Sequence, residues 1–217
     1  MRKSGVEDLR RRVAKEAALL LYTMQEKEYK QAKLKAARIL GSRVLPSNLE
    51  VALELDRIAA EREGEERKRR LVEMRKEALR IMEALKRFHP RLVGSVWRGT
   101  ARRNSDIDIT VYTENPEEAL DVLKSNCFQI TRTKWQTITK NGEEKRYLHV
   151  YVASSTGNEA EIVVAPLQEM DTKRKCEVYG DEITGLTIKQ LKQVMKENPA
   201  QKFLPISEGL SWNRFPS

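Results

Sequence analysis

The chain has 217 residues, 40% of them hydrophobic and 34% charged, with a formal net charge of +9. That length allows one large domain or two small ones with a properly buried core. No run approaches the ~20 apolar residues needed to cross a bilayer, so a membrane-spanning role is excluded.

The first 88 residues read as successive helices, rich in alanine, leucine, glutamate and lysine and without proline before Pro46. One helix is expected from about Val6 to Gln25, burying Leu9, Val13, Ala17, Leu20 and Leu21. A second runs from about Lys27 to Leu40 and stops at Gly41, a residue suited to the left-handed turn after a helix. Ser47-Asn48-Leu49-Glu50 has capping-box spacing and should open a third, which Gly64 interrupts. A fourth, from about Glu65 to Phe88, lines up Leu71, Met74, Ala78, Ile81, Leu85 and Phe88 on one face. Residues 1–90 hold 23 Lys+Arg against 15 Asp+Glu, a net +8, while residues 91–217 hold 18 against 17, a net +1. The basic excess therefore belongs to the helical part. It suits a polyanionic partner such as RNA, although the interspersed signs equally describe solvated helix faces.

At His89-Pro90 the texture changes to short apolar or alternating runs. Arg91–Val93, residues around Ile107–Val111, Ile130–Ile138, Leu148–Ala153 and Ile162–Ala165 read as strands. Pro116 to Ser125 reads as a helix with proline in its first turn. Asn141-Gly142 between two β-prone runs predicts a hairpin. Thr187-Ile188-Lys189-Gln190 is a second capping box, opening a helix to about Asn198. The expected fold class is α+β, with a helical N-terminal region (1–88), a compact unit with a small mixed sheet flanked by helices (89–198), and a tail (199–217) carrying Phe203, Trp212 and Phe215.

The chemistry concentrates in Gly94-Ser95-Val96-Trp97-Arg98-Gly99 and Ser105-Asp106-Ile107-Asp108-Ile109, where a strand runs into a glycine-serine turn and the next strand begins. Residues two apart on a strand share a face, so Asp106 and Asp108 stand side by side while Ile107 and Ile109 point into the core. Adjacent carboxylates repel unless a cation lies between them. Hard oxygen donors suit magnesium or manganese, which keep waters and accept substrate phosphates. Gly94 allows close backbone approach to a ligand, and Ser95 offers a hydroxyl and an amide to a phosphate. Arg98, Arg102 and Arg103 bring positive charge to the intervening loop.

Gly94-Ser95, Arg98-Gly99 and Ser105-Asp106-x-Asp108 at these spacings resemble the signature of the polymerase-beta-like nucleotidyltransferase superfamily. They are most similar to its minimal nucleotidyltransferases and more loosely to archaeal CCA-adding RNA nucleotidyltransferases. The motif spans about 15 residues, and the compatible strand order extends over roughly residues 90–165. The resemblance implies a nucleotidyltransferase fold and a nucleotide triphosphate bound through Gly94, Ser95, Arg98 and Ser105. It implies metal ligation and catalysis by Asp106 and Asp108 with a third carboxylate on a later strand. Glu161, in Ala160-Glu161-Ile162-Val163, is the candidate for that place. Glu159 shares its face and is the alternative, and glutamate departs from the aspartate more usual there.

The implied activity moves a nucleoside monophosphate from an NTP to an acceptor hydroxyl, with Mg2+ or Mn2+ as cofactor and pyrophosphate as product. The acceptor is RNA, a protein or a small molecule, and Arg102 and Arg103 are candidates to bind it. The alternative is a catalytically inactive nucleotide- or RNA-binding module of the same fold. His149 reads as a structural histidine, and Trp97 as either a base-stacking residue or a filler beside the sheet. Cys127 and Cys176 are too few for a disulfide framework and read as buried or incidental thiols of a reduced, cytoplasmic protein.

Overall fold

The computed structural model describes residues 2–140, 143–154 and 157–205. In chain order these form α1 (Arg2–Tyr22), α2 (Tyr29–Ile39), α3 (Asn48–Ala84), β1 (Arg91–Val93), α4 (Gly94–Arg98), β2 (Ile107–Tyr112), α5 (Pro116–Ser125), β3 (Ile130–Lys140), β4 (Glu143–Ala153), β5 (Glu159–Ala165) and α6 (Ile188–Glu197). Both capping boxes form. Ser47 Oγ accepts from the Glu50 amide at 3.2 Å while Glu50 accepts from the Ser47 amide at 2.6 Å. Thr187 and Gln190 repeat the exchange at the start of α6. Each closes two amide donors that a helix start otherwise leaves unpaired.

The expected third and fourth helices are one run broken at Gly64, whose φ of +53° and ψ of −138° are non-helical. Only glycine takes that conformation without strain. Arg67 spans the break. Its guanidinium donates to the Asp56 carboxylate at 2.6 Å and to the carbonyls of Asp56, Thr100 and Ala101. One planar group with five donors thus fixes the angle between the two halves and ties both to the loop after α4.

The five strands form a single mixed sheet in the order β1-β2-β5-β4-β3, with β2 and β5 parallel and the other pairs antiparallel. Along β2, Ile107, Ile109 and Val111 are fully buried, while Asp108, Thr110 and Tyr112 are half-buried on the opposite face. The buried face packs against the second half of α3, α5 and α6. The fold is therefore α+β with its helices layered on one side of the sheet, which leaves the aspartate side for chemistry. β3 and β4 pair from Ile130 and Val152 out to Lys140 and Glu143, as a hairpin should; Asn141 and Gly142 lie outside the described residues, as do Trp212 and Phe215.

The core divides at the Gly64 break. α1, α2 and Val51, Leu55 and Ile58 of α3 form one apolar cluster. Leu71, Met74, Ala78, Ile81, Leu85 and Phe88 join the sheet's cluster. The change of texture at residue 88 marks where strands begin; the division of the core falls a quarter of the chain's helical part earlier, because a helix that changes partners midway keeps one periodicity. Among the described residues no helix is long and apolar enough to cross a membrane.

Candidate nucleotide and metal site

β1 delivers the chain to Gly94, whose φ of +67° turns it into α4. The same residue is a point of close approach. A Cβ there would lie 2.7 Å from Asp108 Cγ and 3.0 Å from Asp108 Cβ, closer than real Cβ atoms come. Val93 is the register partner of Asp108, so the turn closes directly over this carboxylate. Gly94→Ala is expected to cost roughly 2–4 kcal/mol, from strained φ and overlap together, and to displace the Asp108 side chain. Urea denaturation measures the first effect.

On its other side Asp108 is paired in register with Glu161 of the parallel strand β5, so both carboxylates share the open face of the sheet. Asp106 precedes β2 and is exposed. Burial, with the charges of Glu161 and Asp106, pushes the Asp108 carboxyl up to about 7. Burial and the charges of Glu159 and Glu161 also raise Asp106, with Arg132 opposing them. Crowded acids of this kind are what a hard divalent cation relieves, and the donor chemistry fits magnesium or manganese. The three side chains do not close into a ready-made cage: no three His, Cys, Asp or Glu among the described residues converge as a metal group.

Glu161 is turned toward β4. Its Oε1 lies 2.7 Å from His149 Nδ1, and the Tyr151 hydroxyl bonds it too, which with burial raises the tyrosine's ionisation to about 12. Glu159 carries a different set, accepting from Arg132 at 2.9 Å and from Thr131 at 3.0 Å. Arg132 also covers the Tyr151 ring at 3.8 Å. His149 is thus a neighbour of the acidic cluster as well as a strand residue. Its sequence signal was the shared face with Tyr151, but which β5 residue they meet depends on strand register.

Gly94, Ser95, Ser105, Asp106 and Asp108 line one cavity of about 350 Å3; Glu161 is not among its lining residues and stands beside it on the sheet. No described residue engages the Ser95 hydroxyl. Arg98 lines the cavity too, and both Arg98 and Ser105 have partners within the chain. The Arg98 guanidinium is committed to Asp181, donating at 2.6 and 2.9 Å, and to the Phe203 carbonyl at 3.1 Å. It also stacks against the rings of Trp97 and Tyr179. Three of its five donors are engaged in this way and anchor the loop, and the residue lines the same cavity as Gly94 and Ser95. Ser105 Oγ accepts from the Arg102 amide at 2.9 Å and closes the turn before β2, so its first role is to aim Asp106.

The two loop arginines part company. Arg102 is half-buried in the cavity and donates to the Leu21 carbonyl at the end of α1, whereas Arg103 is exposed. Both border a second pocket, beside Tyr22, Met24 and Glu63. Trp97 is buried within the main core, the gap-filling alternative. Cys127 is exposed and Cys176 half-buried, both free.

A family model described as a domain of unknown function (DUF4269) matches residues 75–181, from the second half of α3 through the loop that carries Tyr179 and Asp181. No curated protein matches the chain. Solved structures that are similar include a mutant Cid1 poly(U) polymerase bound to MgATP, at 17% identity, TM-score 0.31, covering 45% of this chain and 32% of that one. Another is Cid1 with the UTP analog UMPNPP, at 16% identity and TM-score 0.32, covering 45% and 30%. The chain spans about a third of the length of these structures. At that similarity the chemistry rests on this chain's own residues.

Proposed function

We propose that this protein is a metal-dependent nucleotidyltransferase that moves a nucleoside monophosphate from an NTP to an acceptor hydroxyl and releases pyrophosphate. The observation that carries the reading is the pairing of Asp108 with Glu161 on adjacent parallel strands, with Asp106 alongside and the Gly94–Ser95 turn lining the same cavity as both aspartates. Ser95 and its turn would hold the triphosphate. Asp106 and Asp108, with Glu161, would hold magnesium or manganese, which neutralises phosphate charge and makes an oxygen nucleophile more acidic. The chain's part is positioning and electrostatic preorganisation, because no covalent intermediate is needed.

An anionic acceptor is supported by the helices. Arg12, Lys15, Lys30 and Arg38 are without an ion-pair partner among the described residues, in contrast to Arg10, Arg11 and Lys35. RNA fits that chemistry, with protein or small-molecule acceptors as alternatives.

The test is incubation with each labelled NTP and magnesium or manganese, in the presence of RNA, protein and small-molecule acceptor pools. Pyrophosphate release and label transfer are expected, and both should vanish in Asp106→Ala and Asp108→Ala. Glu161's engagement by His149 and Tyr151 favours a second reading, an inactive nucleotide-binding module. Saturable NTP binding without pyrophosphate release would establish that reading instead.

A further inference from the structure

The cavity that holds the two aspartates does not end at the α/β unit. Its far wall is Tyr29 at the start of α2 and Ala52, Leu55 and Asp56 of α3, and Val178 and Tyr179 of the segment before α6 also line it. The β2 side thus presents two acids and a serine hydroxyl that no described residue engages. The helical side presents aliphatic carbons and two phenol rings, with Arg102 beside the phenols. The walls are tied together. Asn48 at the head of α3 donates to the Glu177 carbonyl at 3.1 Å, and Arg67 fixes α3 to Thr100 and Ala101. Asp56 is already engaged by Arg67 and by Lys202 at 2.5 Å, so its charge is answered within the protein. Tyr179 is also engaged, through Thr100. The Tyr29 hydroxyl has no partner among the described residues, and no buried polar side-chain atom there is left unsatisfied, so this hydroxyl opens to the cavity.

A polar end and an apolar, aromatic end within about 350 Å3 match a ligand that is itself divided, and such a volume is typical of small-molecule sites. We infer that the N-terminal helices form the nucleoside seat of the site: the cavity takes a nucleoside triphosphate with its phosphates at Gly94–Ser95 and its base and sugar against Ala52, Leu55, Tyr29 and Tyr179. The inference rests on the nucleotide reading above and deepens it, assigning the helical region to the donor nucleotide and not only to an acceptor. Flat aromatic faces give affinity to any base, and the single free phenol hydroxyl gives one directional contact to discriminate among them.

The test separates the two ends by ligand. Inorganic tripolyphosphate probes the phosphate end alone, and an NTP probes both, each titrated calorimetrically with magnesium and without any acceptor, so that turnover is not required. In the wild type the NTP should bind at least ~10-fold more tightly than tripolyphosphate. Ala52→Phe, which fills the seat from α3, should abolish that advantage and leave tripolyphosphate affinity unchanged. Val178→Trp fills it from the exposed segment, so it gives the same information should the α3 variant not fold by circular dichroism. Equal affinity for the two ligands in the wild type, or an undiminished NTP advantage in the filled variants, rejects the nucleoside seat while sparing the phosphate site. Absence of binding by either ligand rejects the nucleotide reading itself.

Discussion

Asp108→Asn is expected to abolish nucleotidyl transfer and at the same time make the metal-free protein more stable. The carboxylate sits against Gly94, opposite Glu161 and near Asp106, and its ionisation is pushed up to about 7. Each pKa unit is about 1.4 kcal/mol, so the penalty on the ionised form approaches ~4 kcal/mol. Asparagine keeps the shape and part of the desolvation cost, leaving a gain of roughly 1–3 kcal/mol, several degrees in Tm for a chain of this size. Because the folded chain binds this proton more tightly than the unfolded chain, the stability that protonated Asp108 contributes is fully present only below about pH 4. That contribution is lost as pH rises through about 7, and the variant's stability curve should differ from the wild type's by this slope. Excess magnesium or manganese should raise the wild-type Tm and leave that of Asp108→Asn unmoved. Transfer should fall by at least ~10^3-fold, since the charge stabilisation at stake amounts to several kcal/mol. Calorimetric scans across pH with and without metal, beside a pyrophosphate assay, check each part. An unchanged or lowered Tm in the metal-free variant would falsify the crowded-acid account.

The second large effect concerns Arg75, which is wholly buried on α3. Among the described residues it has no carboxylate partner and donates to four carbonyls, those of Val96 and Trp97 in α4 and of Pro199 and Gln201 beyond α6, at 2.8 to 3.1 Å. Two of these belong to the last turn of a short helix, where the Val96 carbonyl has only a long bond from the Gly99 amide, at 3.4 Å. Burial lowers its pKa to about 10, so it stays charged at neutral pH, with the Phe203 ring 5.9 Å away as an added contact. Arg75→Met preserves apolar bulk and removes every donor. The expected loss is roughly 3–5 kcal/mol, on the order of 10 °C in Tm. Arg75→Lys should rescue little, since an ammonium has three donors and no planar fork. The Phe203 amide, which donates to the Arg98 carbonyl at 2.9 Å, should lose hydrogen-exchange protection ahead of the sheet. Protection lost uniformly would mean that Arg75 acts only through global stability.

Capping boxes, the helical stripes and the two strands bracketing the Gly-Ser turn are local signals, and each forms where its spacing placed it. The stripe of Leu71 to Phe88 was legible as buried, but the partner it is buried against was not: a 3.6-residue period reports that a face is covered, never by what. That ambiguity separates the texture boundary at residue 88 from the division of the core at Gly64. Arg98 shows another limit: its place in the motif gives no sign of the pairing with Asp181, 83 positions away. Arg75 stood unremarked in an apolar helix, because four backbone carbonyls leave no trace in residue identity.

What the amino-acid sequence determined alone was everything governed by neighbours within a few positions: element types, caps, the tight glycine turn, and the alternation along β2 that turns Asp108 away from the core. Strand register and the kink at Gly64 decided the rest. Register set Glu161 between Asp108 and Tyr151, and the kink folded α2 and the first half of α3 back over the turn to enclose a cavity. Those outcomes depend on contacts between residues far apart in the chain, whose energies no local pattern encodes.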